Sequence, residues 1–294
     1  MAELRAGELS ATWLPEHGMV GASLRHRGGE LLGQRGGLDA YLAKGSAFGI
    51  PLLAPWANRL DGLRYGDVTL DPARVKGGAE GLPKDGALAA RAWKVEEATA
   101  TRLAARFDAD SDGYDDVFAV FPFPHAWRVL ITLTPTAMTV CTELSATGDV
   151  ALPVSFGWHP LFTLPGVARE ELEVELPVLA ESTLDARGIP TGEPDVRPPE
   201  WVRGALGDRV LDTEYPELDG TRDFVLRGAG RELRVAFGAS GYPVGHAWAP
   251  AGEAFVAWEP MTVPTNALVS RRGLRHVAAG DTFAATFMVS VSTA

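Results

Sequence analysis

Alternation with a period of two is the dominant pattern along this chain. Val129, Ile131 and Leu133 alternate with Leu130, Thr132 and Thr134, and after Pro135-Thr136-Ala137 a second β-rich run continues from Met138 to Leu144. That spacing predicts a hairpin. Another is predicted from Phe224-Val225-Leu226 and Leu233-Arg234-Val235-Ala236-Phe237 across Gly228-Ala229-Gly230, and a last strand from Phe283 to Val291. Helical periodicity is confined to short stretches such as Leu38-Asp39-Ala40-Tyr41-Leu42, and no βαβ alternation is present. The 33 glycines and 21 prolines cut the chain into short extended segments, a spacing that suits an antiparallel sandwich or barrel. The expected class is all-β, a large antiparallel β-sandwich with few short helices. Between Leu184 and Val202, Pro190, Pro194, Pro198 and Pro199 predict an extended surface loop. Strand patterns on both sides make it an excursion within one domain spanning 1–294.

Composition narrows the partners. Hydrophobic residues make up 46% and charged residues 22% of the chain, ordinary values for a soluble globular protein. Twenty-seven basic against 38 acidic residues give a net charge of −11, a field that repels nucleic acid and anionic membrane surfaces. A neutral small molecule is the easier ligand, and a phosphorylated one would need a local basic cluster to reverse the sign. Cys141 is the only cysteine, so no intrachain disulfide can form; its strand-like setting predicts a buried, inert thiol. Met1 to Ser10 carries Glu3 and Glu8 and lacks the apolar core of a secretory signal, and no uncharged apolar run approaches a membrane span. The cytoplasm is the expected compartment. Nothing in the pattern sets an oligomeric state.

Common metal and phosphate motifs are missing: there is no HExxH, no paired-cysteine spacing, no clustered histidine doublet and no GxxxxGK[ST]. Gly228-Ala229-Gly230 lacks the third glycine of a dinucleotide fingerprint and reads as a hairpin turn. Candidate chemistry lies elsewhere. His159, in Ser155-Phe156-Gly157-Trp158-His159-Pro160, precedes a proline, which biases it toward extended backbone and ends a regular strand there. An imidazole at a strand end can donate a proton near neutrality. Glu259, in Phe255-Val256-Ala257-Trp258-Glu259-Pro260, shares one strand face with Phe255 and Ala257. A carboxylate that continues an apolar face is costly unless paired or used, and desolvation would raise its pKa and make it a stronger base. Read alone, Glu259 is equally a rim glutamate paired with an arginine. Arg59 follows Trp56 and Asn58 between Pro51, Pro55 and Leu60. A guanidinium can donate to two adjacent hydroxyl oxygens, and an indole can stack on a pyranose; the plain alternative is a surface arginine paired with Asp61 or Asp67.

Taken together, Pro55-Trp56-Ala57-Asn58-Arg59-Leu60, Gly157-Trp158-His159-Pro160, Leu184-Asp185 through Ile189-Pro190-Thr191-Gly192, and Trp258-Glu259-Pro260-Met261-Thr262 resemble, in order and spacing, the aldose 1-epimerase (galactose mutarotase) family. The resemblance runs from about Trp13 to Ser292. It implies a β-supersandwich with a sugar cleft on its concave face and interconversion of the α and β anomers of a free aldose without a cofactor or metal. It further implies Glu259 as base and His159 as acid, with Arg59, Asp85, Asp212, Trp56, Asn58 and Trp158 as substrate contacts. Asp212 lies in Asp212-Thr213-Glu214-Tyr215.

One departure stands out. Where the family carries a histidine before a glycine, this chain has Leu82-Pro83-Lys84-Asp85-Gly86 upstream of Trp93. An anionic aspartate accepts hydrogen bonds but donates none, so a changed substrate preference or a lower rate is implied. Three other readings follow: a sugar-binding protein that lost turnover; action on a hexose phosphate, which would need basic residues such as Arg91 or Lys84 near the cleft; and a glycoside hydrolase using Asp85 and Glu259.

Overall fold

A computed structural model of the chain describes residues 1–44, 47–77, 81–109, 115–191, 196–237 and 241–293. The predicted hairpins are present and extend further than their apolar runs. His125–Leu133 pairs with Ala137–Ala146, and Phe224–Gly228 with Arg231–Ala236 across a turn in which Ala229 and Gly230 both have positive φ. Such two-residue turns match the twist of the strands they join. Both hairpins belong to a nine-stranded antiparallel sheet. Its order is Arg203–Ala205, Glu173–Glu175, Phe224–Gly228, Arg231–Ala236, Thr282–Thr293, Ala137–Ala146, His125–Leu133, Arg102–Asp108 and Lys94–Ala98.

A smaller sheet faces it, in the order Leu211–Tyr215, Val244–Ala249, Val256–Met261, Gly157–Trp158 and Leu52–Leu53, with Leu161–Phe162 also paired to Val256–Met261. Ala2–Ala6, Leu9–Leu14, Val20–His26 and Gly29–Glu30 form a separate four-stranded sheet. One hydrophobic cluster contains inward side chains of all three sheets, among them Trp13, Trp127, Trp158, Trp258, Phe224 and Phe287. The expected all-β antiparallel sandwich is what the chain forms.

Helices are few and short among the described residues: Gly37–Lys44, which contains the predicted Leu38–Leu42, then Asp115–Val120 and Ala267–Ser270. None is long and apolar enough to cross a membrane. The proline-rich stretch after Leu184 is less open than predicted, because Val196–Arg197 pairs with Glu181 and Ser182. Gly192 and Pro194 fall outside the described residues. Cys141 is half-buried rather than buried, since its side of the Ala137–Ala146 strand alternates with the core-facing one.

Candidate active site

The strand alternation that builds the core also builds the site. In Val256–Met261, Trp258 points inward, its ring stacked on Phe224 at 5.7 Å and on Phe237 at 5.3 Å between centroids. A buried tryptophan removes roughly 200 Å² from water, worth about 5 kcal/mol at 25 cal/mol per Å², so the orientation of this strand is strongly fixed. Glu259, one residue on, must then face the opposite side. The same logic acts at Trp158, which donates its indole N–H to Thr142 Oγ1 at 3.0 Å and meets Trp13 and Phe287 edge-on. His159 follows it outward.

Register does the rest. Gly157 pairs with Met261 and Leu161 with Ala257, so His159 falls opposite Glu259 between them. Pro160 has no N–H to complete the ladder there, and the His159 backbone N–H donates instead to Pro51 O at 3.0 Å. On the other flank His246 is the cross-strand partner of Glu259, and Glu214 the partner of His246. Glu259 thus sits between two imidazoles.

These groups line a cleft of about 380 Å³. His159 Nε2 stands 3.3 Å from Glu259 Oε1. Glu259 Oε2 and His159 Nδ1 are buried without a hydrogen-bond partner among the described residues. Burial pushes the Glu259 carboxyl up to about 8, against the opposing charge of His246. Burial, together with the nearby Lys84 ammonium, lowers His159 to about 3.

Asp212 and His246 form a second pair, with His246 Nε2 2.8 Å from Asp212 Oδ1. Burial alone would raise Asp212, but the His246 hydrogen bond and charge, with Arg59 and Lys84, outweigh it and hold the carboxyl at about 2. For His246, burial acts downward and is outweighed by Asp212 and by the charges of Glu259 and Glu214, so the imidazole is raised. Beneath this pair Glu214 is fully buried, accepting from Ser182 Oγ at 2.9 Å and from the Thr265 N–H at 2.6 Å.

The opposite wall is the Pro55–Leu60 segment held to Lys84-Asp85-Gly86. Asn58 N–H donates to Asp85 Oδ1 at 3.1 Å and Asp85 N–H to Asn58 O at 3.0 Å, with both residues at positive φ, a conformation asparagine and aspartate tolerate. Gly86 is required: a Cβ there would lie 2.0 Å from Ala54 O. Burial raises the Asp85 carboxyl against the pull of Lys84 and Arg59. The Asn58 side chain donates to Met261 Sδ at 3.0 Å. Arg59 lines the cleft beside the turn at Gly188; its alternative partner Asp61 is taken by Arg187 at 2.6 Å.

Glu259, His159, Arg59, Asp85, Asp212 and Asn58 therefore converge on one cleft. Trp56 and Trp158 do not: both are fully buried in the core cluster, where their apolar area is worth more than at a wet rim. Arg91 is also elsewhere, paired with Asp116, whereas Lys84 does reach the cleft. The aromatic wall is Trp248, 5.4 Å from the His159 ring and capped by Arg35 at 5.0 Å. Sequence reasoning missed His246 and Trp248. Their signal was period two in Val244-Gly245-His246-Ala247-Trp248-Ala249, with small residues between them.

The aldose 1-epimerase family profile matches residues 3–287. The chain belongs to this family. No curated protein matches it. Among solved structures, a galactose mutarotase-like protein from Clostridium acetobutylicum is similar with a TM-score of 0.85 at 16% identity, over 99% of this chain and 95% of that one. A GalM/aldose epimerase homologue from C. elegans has a TM-score of 0.78 at 18% identity, over 99% and 98%. A galactose 1-epimerase from Lactobacillus acidophilus has 0.74 at 12%, over 98% and 92%. At such identities the likeness to these structures is one of fold, and membership of a sugar-epimerase family rests on the profile.

Proposed function

We propose that this chain is a mutarotase that interconverts the anomers of an aldose, acting as one unit over 1–294 in the cytoplasm. The observation that carries the reading is the 3.3 Å approach of His159 to Glu259 in the cleft. With one group at about 8 and the other at about 3, the pair as a unit holds a single proton through neutrality. That proton rests on Glu259, so the forward step begins once it has passed to His159 Nε2 across the 3.3 Å approach, leaving a carboxylate base and an imidazolium acid.

In the forward step Glu259 takes the proton of the anomeric hydroxyl while His159 gives one to the ring oxygen. The bond from C1 to the ring oxygen breaks, its electrons passing to that oxygen, and C1 becomes an aldehyde carbon. Rotation about the C1–C2 bond presents the other face, and reclosure returns both protons with the roles exchanged. Arg59, Asp212 and Asp85 would hold sugar hydroxyls, and Trp248 would take the stacking role. His246, facing Glu259 across the ladder, favours the carboxylate form that accepts the first proton. The convergence of an acid and a base argues against a cleft that only binds.

Polarimetry tests this. Fresh α-glucose or α-galactose should lose rotation faster with the protein present, and Glu259→Gln should remove the acceleration with an unchanged circular dichroism spectrum. A fully active variant would overturn the assignment.

A further inference from the structure

Three cationic side chains stand side by side on one wall of the cleft. Arg59 bridges Lys84 in an antiparallel pair, and the Lys84 N–H donates to Lys76 O at 2.9 Å, so the three residues come from three adjacent extended segments. All three line the cleft. Among the described residues, neither Arg59 nor Lys76 has an ion-pair partner, and Lys84 has only Asp85, at 3.9 Å. Six arginines elsewhere behave differently: Arg128, Arg187, Arg197, Arg222, Arg227 and Arg234 each reach two carboxylates. A protein of net charge −11 thus leaves Arg59 and Lys76 without a direct ion pair at its sugar cleft.

The charge balance inside the cleft agrees. Its anions are Asp85, Asp212 and Glu259, and its cations Arg35, Arg59, Lys76 and Lys84. Asp212 is matched by His246, and Glu259 shares one proton with His159. Arg35 faces Glu253 and Trp248. Asp85, with one oxygen on the Asn58 N–H, feels all three cations, and Asp212, already bonded to His246, feels Arg59 and Lys84 as well, so two carboxylates face three cations and an imidazole. Lys76 is lowered by burial, which only Asp85 offsets, as expected of an ammonium with too few acceptors. An exposed anion at this wall would gain charge-assisted bonds from a planar guanidinium and two ammonium groups.

The geometry points to an aldose that carries an anionic group, phosphate or carboxylate, bound through that group by Arg59, Lys84 and Lys76. It rests on the mutarotase reading only in naming the body of the ligand as an aldose. Asp85 fits the same arrangement, since it holds the Asn58-Arg59 segment through Asn58 and sits beside Lys84.

Calorimetry on the Glu259→Gln protein separates binding from turnover. Glucose 6-phosphate and glucuronate, measured beside glucose, identify the anion. Roughly tenfold or tighter binding of at least one of them is expected, weakening with added salt, and reduced at least severalfold in Lys76→Met/Lys84→Met but retained in Lys76→Arg/Lys84→Arg. Competition by inorganic phosphate would assign the phosphate source. Equal affinity for glucose and both anionic sugars, or a preference unchanged in the Met double variant, would overturn the subsite. Exchange between anomeric proton signals, followed by saturation-transfer NMR with the unaltered protein, decides the mutarotase reading separately: no exchange on any of the three sugars would defeat that reading and leave the binding result standing.

Discussion

Glu259 has His246 as its cross-strand partner on one side and His159 Nε2 at 3.3 Å on the other. One carboxylate thus lies between two imidazoles, the arrangement on which the proposed proton transfers rest, and the two histidines differ in kind. His159 is lowered and His246, bonded to Asp212, is raised.

Activity should hold through neutrality and fall above about pH 8, where the Glu259–His159 pair loses its shared proton. On the acid side the second proton adds near 3, so no loss from this pair is expected down to about pH 4. Initial rates of anomer exchange, corrected for the spontaneous rate at each pH, measure both limbs.

Glu259→Gln should lower the exchange rate by about 10²- to 10⁴-fold while raising stability at alkaline pH. The Glu259 carboxyl is raised from 4.5 to about 8 on folding, so its favourable contribution is complete below 4.5 and is lost as pH rises through 8. The melting-temperature gap between variant and parent should open across that window and level off above it. A gap that is constant with pH would contradict the desolvation account.

Asp212→Asn should return the His246 imidazole toward its ordinary value by removing its hydrogen-bonded anion. Binding of substrate should weaken by about tenfold, the scale of one lost charge-assisted bond. NMR titration of the His246 ring, set beside KM, checks both. In the parent, the Asp212 contribution to stability is present above 3.8 and is lost as pH falls through about 2.

Trp248→Ala and Trp56→Ala should fail in opposite ways. Loss of the Trp248 wall should raise KM by about three- to tenfold with little change in melting temperature. Loss of fully buried Trp56 should cost about 3–5 kcal/mol of stability. Denaturant titration together with KM separates the two.

Much of this could be read from residues alone, because the two strongest signals are local. Period two marked the hairpins, and the placement of Glu259 and His159 beside tryptophans marked residues whose neighbours bury deeply. What could not be read was register. His246 became a partner of Glu259 only when Val244–Ala249 paired with Val256–Met261, and nothing within either segment sets that offset. Trp56 was misplaced for a related reason: an indole suits a sugar face and a core equally well, and packing between sheets decides. Lys76 drew no notice because its nearness to Arg59 depends on the intervening Lys84 segment.

Trp158 reaches Thr142 on the far sheet while its chain neighbour His159 meets Glu259. The interior thereby serves as a gauge block for the proposed acid–base pair, with the 3.3 Å spacing of His159 and Glu259 calibrated by the packed layers beneath. Thr142→Val, which removes the anchor from beneath, would be felt as misalignment at the sugar before it was felt as unfolding.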